Sequence, residues 1–146
     1  MPLYDQDSNV WEGVMNESDI SVLLVDDDEI ILECIGAYLE DEGFTMHYSD
    51  SGEAALKSIA AINPVVCITD MRLSGMNGEA FICKAHAICP NTGYLLHTGM
   101  AYSPSNELLS IGMTAADVFQ KPMHEFSTLT DRIKAIARAG RMCNGT

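Results

Sequence analysis

Four short apolar runs in this chain each end in a strongly polar residue. Val22-Leu23-Leu24-Val25 stops at Asp26-Asp27-Asp28, and Val65-Val66-Cys67-Ile68-Thr69 stops at Asp70. Tyr94-Leu95-Leu96-His97 ends at Thr98, and Asp117-Val118-Phe119-Gln120 ends at Lys121-Pro122. Apolar runs of this length, separated by helix-period segments, are the mark of strands buried on both faces, and so of a parallel sheet covered by helices. Such sheets bind ligands beyond the carboxyl ends of their strands. The pattern therefore aims carboxylates, a hydroxyl and an ammonium at one small region.

The segments between the runs supply the helices. Helix one spans about Asp28 to Glu42, with Ile31, Ile35, Tyr38 and Leu39 on one face and Gly43 as the stop. A second strand, Phe44 to Tyr48, follows. Ser51 is a natural N-cap for helix two, whose Leu56, Ile59 and Ala60 face inward until Asn63-Pro64 ends it. A loop from Met71 to Gly78 precedes helix three, about 79–88. Ser103-Pro104 reads as an N-cap with proline at the first helical position, opening a short helix four to about Ile111. The last helix, about 125–139, buries Leu129, Ile133 and Ile136. Five strands alternating with five helices make a doubly wound α/β sandwich, and no repeat or second domain interrupts it.

A length of 146 residues suits one domain with a proper core, and 47% hydrophobic with 20% charged residues describes a soluble globular protein. Eight basic residues against twenty-one acidic give a net charge of −13, which argues against direct nucleic-acid binding. No apolar stretch spans a membrane and no basic-then-apolar leader opens the chain, so a cytoplasmic location is expected. Cys34, Cys67, Cys83, Cys89 and Cys143 are odd in number, lack a Cys-x-x-Cys pair and mostly sit at apolar positions. They read as reduced, buried thiols.

Carboxylates gathered at neighbouring strand ends repel each other unless a cation neutralises them. Oxygen ligands from Asp and backbone carbonyls suit Mg²⁺, which usually engages a phosphate. A lysine and a threonine hydroxyl suit phosphoryl oxygens, and an Asp in such a setting is itself a nucleophile. The chemistry that fits is phosphoryl transfer onto an aspartate.

Taken together, Val25-Asp26-Asp27-Asp28, Thr69-Asp70-Met71-Arg72-Leu73 through Gly78, Thr98-Gly99 and Lys121-Pro122 resemble the receiver domain of two-component response regulators. The resemblance covers roughly residues 20–139. It implies a flavodoxin-like doubly wound sheet of five parallel strands, order 2-1-3-4-5, with five helices. The domain is then placed at 20–140, with a flexible N-terminal extension at 1–19 and a tail at 141–146. By the same resemblance Asp70 is the phosphoacceptor, Asp27 a direct Mg²⁺ ligand, and Asp26 holds the metal mainly through water. The backbone carbonyl of Arg72 completes the protein's share. Thr98 hydrogen-bonds the phosphoryl group, Lys121 pairs with it, and Lys121-Pro122 is a cis peptide. The implied donor is a phosphohistidine on a sensor histidine kinase or histidine phosphotransfer protein. The implied output is altered binding to a downstream protein, or a homodimer through helix four, strand five and helix five, with no catalysis beyond the domain's own phosphorylation and dephosphorylation. The chain is expected to be a stand-alone receiver or a piece of a larger regulator.

The chain departs from the family pattern at three positions. Ser74 stands where a proline is usual, His97 where an aliphatic residue precedes the threonine, and Val118 where an aromatic three residues before the lysine normally swings inward on activation. Val118 keeps open an alternative, a receiver-fold binding module that works without phosphorylation. An aspartyl-phosphate phosphatase is disfavoured, since it wants a second acid where Arg72 stands. His97 is expected in the core, turned away from Thr98 by strand alternation. Cys83, His86 and Cys89 have helical spacing but no fourth zinc ligand. Lys134, Arg138 and Arg141 form a basic stripe that reads as a solvated helix face, and Trp11, Val14 and Met15 as part of a tail.

Overall fold

The computed structural model describes residues 16–144. Its sheet holds five parallel strands: β1 (Ser21–Val25), β2 (Thr45–Ser49), β3 (Val66–Asp70), β4 (Gly93–Thr98) and β5 (Val118–Gln120). They lie in the order β2-β1-β3-β4-β5, as the resemblance implies. The helices are α1 (Glu29–Asp41), α2 (Gly52–Ile62), α3 (Gly78–Ile88), α4 (Asn106–Ser110) and α5 (Phe126–Asn144). Strand alternation divides the core in two. Leu23, Val25, Cys67 and Leu96 face α2, α3 and α4 with Ala55, Ile59, Phe81, Ile82 and Leu108. Val22, Leu24, Val66, Ile68 and Leu95 face α1 and α5 with Ile35, Leu39, Leu129 and Ile133. Each fully buried Leu, Ile or Phe stabilises by about 1.5–3 kcal/mol relative to exposure, so these two layers hold the fold.

Local signals set the helix ends. Asp28 caps α1 by accepting from the Ile30 amide, Ser51 caps α2 through the Ala54 amide, and Asn77 caps α3 through the Ala80 amide. Gly43 follows α1 at φ +101°, a conformation that costs a residue with a Cβ far more. Gly36, in the middle of α1, leaves room for the Tyr48 ring, whose hydroxyl donates to Glu40 at 2.5 Å.

Several expectations are corrected. Helix α4 begins at Asn106, because Ser105 and not Ser103 supplies the cap, its hydroxyl accepting from the Leu108 amide; Pro104 precedes the helix. In α2 Ile59 is buried and Leu56 packs against the core as expected, but Ala60 is exposed and Ala55, one turn before Ile59 on the same stripe, is buried instead. Helix α5 continues to Asn144, five residues past the expected end, and adds Ala137 to the buried face. Cys34 is exposed on α1, whereas Cys67 and Cys89 are buried and Cys83 is partly so; all four are free.

Of the expected extension, residues 16–19 are described, and they are attached to the domain. Glu17–Asp19 forms a 3-10 turn, the Ser18 carbonyl accepts from the Thr45 hydroxyl at 2.8 Å, and Glu17 pairs with Lys134 at 3.4 Å. Trp11, Val14, Met15 and the side chains of Arg141 and Cys143 lie outside what is described. No helix among the described residues is long and apolar enough to cross a membrane.

Candidate functional site

The carboxyl ends of β1, β3, β4 and β5 bring the sequence-derived residues together. Asp26, Asp27 and Asp70 each offer a carboxylate oxygen, and these atoms lie within 4.8 Å of one another, the one such cluster of metal-binding side chains among the described residues. Register explains the convergence: Val25 pairs with Thr69 across β1 and β3, so each strand leaves the sheet at the same level and delivers its acid there. Asp26 is 1% exposed and Asp70 is 7% exposed, while Asp27 is open to solvent.

Lys121 closes the other side. Its Nζ lies 3.1 Å from Asp70 Oδ1 and 3.5 Å from Asp26 Oδ2. Burial works against the ammonium, but the bond to Asp70 and the charges of Asp26 and Asp70 outweigh it, so its pKa is raised. For Asp26 burial dominates and raises the carboxyl above its usual range. The Asp28 amide, which donates to it at 2.9 Å, and Lys121 oppose that shift, while Asp70 adds to it. A buried acid held away from water beside a second acid gains most from a bound cation. The donors are all oxygen, which fits Mg²⁺.

The backbone fixes the remaining pieces. The Lys121 amide donates to the Thr98 carbonyl at 2.7 Å, locking β5 to the end of β4, and the Lys121-Pro122 peptide is cis, as the resemblance implies. Thr98 is buried, and its hydroxyl oxygen accepts from the Met100 amide at 3.2 Å, which leaves its proton free to donate elsewhere. Asp70, Arg72, Thr98, Gly99, Met100 and Lys121 line a cavity of about 300 Å³. After Asp70 the chain forms a small ribbon, Arg72–Leu73 against Met76–Asn77, turned by Ser74 and Gly75 at φ +84°. At the proline position Ser74 instead places its hydroxyl 3.5 Å from Asp27 Oδ2.

Two features of the site carry no clear signal in the sequence. Gly78 sits directly beneath the acceptor: a Cβ there would run into the Asp70 carbonyl oxygen and lie 2.9 Å from Met71 Cα. The glycine was visible, but its neighbour was not. His97 is buried as expected, facing Ile31, Cys34, Ile35 and Phe126 on the α1/α5 side. The structure adds that neither ring nitrogen has a hydrogen-bond partner among the described residues. Burial, helped by the Lys121 charge and opposed by Asp70, pulls its pKa down to about 4. Cys83 and His86 join no metal-type cluster.

With this geometry in place, comparison with known proteins decides the family. The model for the response regulator receiver domain matches residues 22–134. The chain belongs to that family. It is 31% identical over 119 residues to the heme response regulator HssR of Staphylococcus epidermidis, covering 82% of this chain and 52% of that protein. To a protein-glutamate methylesterase/protein-glutamine glutaminase of Rhodopseudomonas palustris it is 25% identical over 118 residues, covering 80% and 32%. Among solved structures, a CheY-like receiver domain protein from Methanospirillum hungatei superposes with a TM-score of 0.73 at 26% identity, covering 84% of this chain and 97% of that one. The receiver therefore spans about half of the first relative and about a third of the second. It is a receiver domain of the kind response regulators carry in two-component signalling.

Proposed function

We propose that this receiver accepts a phosphoryl group on Asp70 and signals through the change in its protein contacts. One observation carries the reading: three acids converge within 4.8 Å while the Lys121 ammonium sits 3.1 Å from the proposed acceptor. Asp26, Asp27 and Asp70, with the Arg72 backbone carbonyl, are the groups that would hold Mg²⁺, which would neutralise charge between these carboxylates and an incoming phosphoryl group. An Asp70 carboxylate oxygen attacks phosphorus as the bond to the donor imidazole nitrogen breaks, and the bonding pair leaves with the imidazole. Lys121 then pairs with a phosphoryl oxygen and the Thr98 hydroxyl donates to another. Transfer is a reaction of the domain upon itself, so it is not an enzyme acting on a separate substrate.

The donor we propose is a phosphohistidine on a sensor histidine kinase or a histidine phosphotransfer protein, in the cytoplasm. The output is a downstream protein or a second copy docked on α4, β5 and α5. Beryllofluoride, which mimics the phosphoryl group, tests the reading by NMR. With Mg²⁺ it should shift the amides of Asp70, Thr98 and Lys121, and Asp70→Asn should abolish the effect. Equal shifts in Asp70→Asn, or shifts that need no Mg²⁺, would overturn it.

A further inference from the structure

At position 118 the family's switching aromatic is a valine, yet the core cluster that Val118 packs against also takes in an aromatic. It arrives from a different element. Tyr102, in the segment joining β4 to α4, packs on the α2/α3/α4 side of the sheet, on the same core layer as Val118 and Ile111. Its hydroxyl donates to Glu79 Oε1 at 2.6 Å, a short bond to a carboxylate in the first turn of α3. Burial and the Glu79 charge push the phenol up to about 12, so at neutral pH it keeps the proton it donates.

The segment bearing Tyr102 is tied to the phosphoryl site at its other end. The Met100 amide donates to the Thr98 hydroxyl oxygen, and the Gln120 side chain donates to the Met100 carbonyl at 2.7 Å. Three tethers thus hold residues 99–105: one to Thr98, one to β5 beside Lys121, and one through Tyr102 to α3. Helix α3 itself starts at Gly78, whose amide donates to the Met71 carbonyl just past Asp70. The Thr98 hydroxyl and the Tyr102 ring thus sit at two tethers of one short segment.

We infer that Tyr102 is the positioning residue that couples the Asp70–Thr98 site to the α3–α4 face, and that the Tyr102–Glu79 hydrogen bond is the contact that differs between the two states. This rests on the proposed phosphoryl acceptance at Asp70. A switch needs a contact whose free energy differs between states, and a single short phenol–carboxylate bond on a loop attached to Thr98 meets that need where Val118 does not.

NMR of the full chain with isotope-labelled tyrosine rings tests this. The Tyr102 signal is assigned by its loss in Tyr102→Phe, and spectra are recorded with and without beryllofluoride and Mg²⁺. The expected result is a large shift of the Tyr102 ring with little change at Tyr94. Tyr102→Phe and Glu79→Gln should keep the Asp70 and Thr98 amide shifts while losing most of the shift across Asn106–Ser110. That split separates coupling from mere structure, since a misfolded variant loses both sets. If the site amides shift while the Tyr102 ring stays put, or if Tyr102→Phe leaves the α4 response at full size, the inference is overturned and phosphoryl acceptance stands. If nothing shifts in the unsubstituted protein, phosphoryl acceptance fails, and the coupling with it.

Discussion

Replacing His97 with leucine should stabilise this domain, and more so in acid. The imidazole sits in the middle of the sheet, paired in register with Asp70 on one side and Phe119 on the other, and it is 3% exposed. Its two ring nitrogens lack partners, so even the neutral ring carries a desolvation cost of about 1–3 kcal/mol. The pH dependence follows from linkage. The folded pKa is about 4, well below the ordinary imidazole value of about 6.5 that the unfolded chain keeps. Between these values the unfolded chain binds the extra proton, so stability rises with pH across that window. It is fully present above pH 6.5 and lost as pH falls toward 4. That gap corresponds to about 3 kcal/mol in full, of which about 2 kcal/mol is lost by pH 5. Asp26 shifts the other way, since its raised pKa means the folded state holds its proton longer. Comparing wild type with His97→Leu cancels that contribution. Urea denaturation at steps from pH 7.5 to 4.5 gives the two profiles. The gap should open by about 2 kcal/mol on reaching pH 5. A constant gap would refute the reasoning and show that the imidazole is hydrated in the native state.

Three further expectations concern the site. Gly78→Ala should destabilise by about 1–3 kcal/mol in chemical denaturation and displace the Asp70 amide signal, because the new methyl meets backbone, which cannot rotate away; wild-type stability would show that α3 can slide. In calorimetric titration, Asp27→Ala should weaken Mg²⁺ binding more than Asp26→Ala, as a direct ligand counts for more than one acting through water; the reverse order would exchange their roles. Arg72 and Met100 both line the cavity at Asp70, a long cation that covers a phosphoryl group and an apolar side chain that cannot orient water. Phosphorylated Arg72→Asn/Met100→Glu should therefore hydrolyse faster than wild type, and an unchanged or slower decay would refute that reading of the two side chains.

The sequence carries the alternation of strands and helices and the convergence of the strand-end residues, because both depend on periodicity and on which residue ends each strand; the strand order came from the family resemblance. Asp26, Asp70 and Thr98 each end a buried run and Lys121 follows the half-buried edge strand β5, and parallel register brings such ends to one level. The short helix α4 is misplaced by a competition between Ser103 and Ser105, which only the hydroxyl–Leu108 amide bond decides. Helix α5 runs through Gly140, the residue that reads as its stop, and continues to Asn144. Tyr102 was illegible for a different reason. It lies in a loop with no period, and its partners, Glu79 and the core layer it shares with Val118, are distant in sequence or on another element. The orphaned imidazole of His97 is likewise a property of what surrounds it.

Acetyl phosphate, Mg²⁺ and intact-mass spectrometry test the central claim most directly. The unsubstituted protein should gain one phosphoryl group, the gain should vanish with chelator, and reduction of the acyl phosphate with borohydride followed by peptide mapping should place it on Asp70. Asp70→Asn should gain none. Labelling that persists in Asp70→Asn, or maps to another residue, would contradict the assignment. No labelling at all, with the metal bound, would leave a receiver fold that works by binding alone.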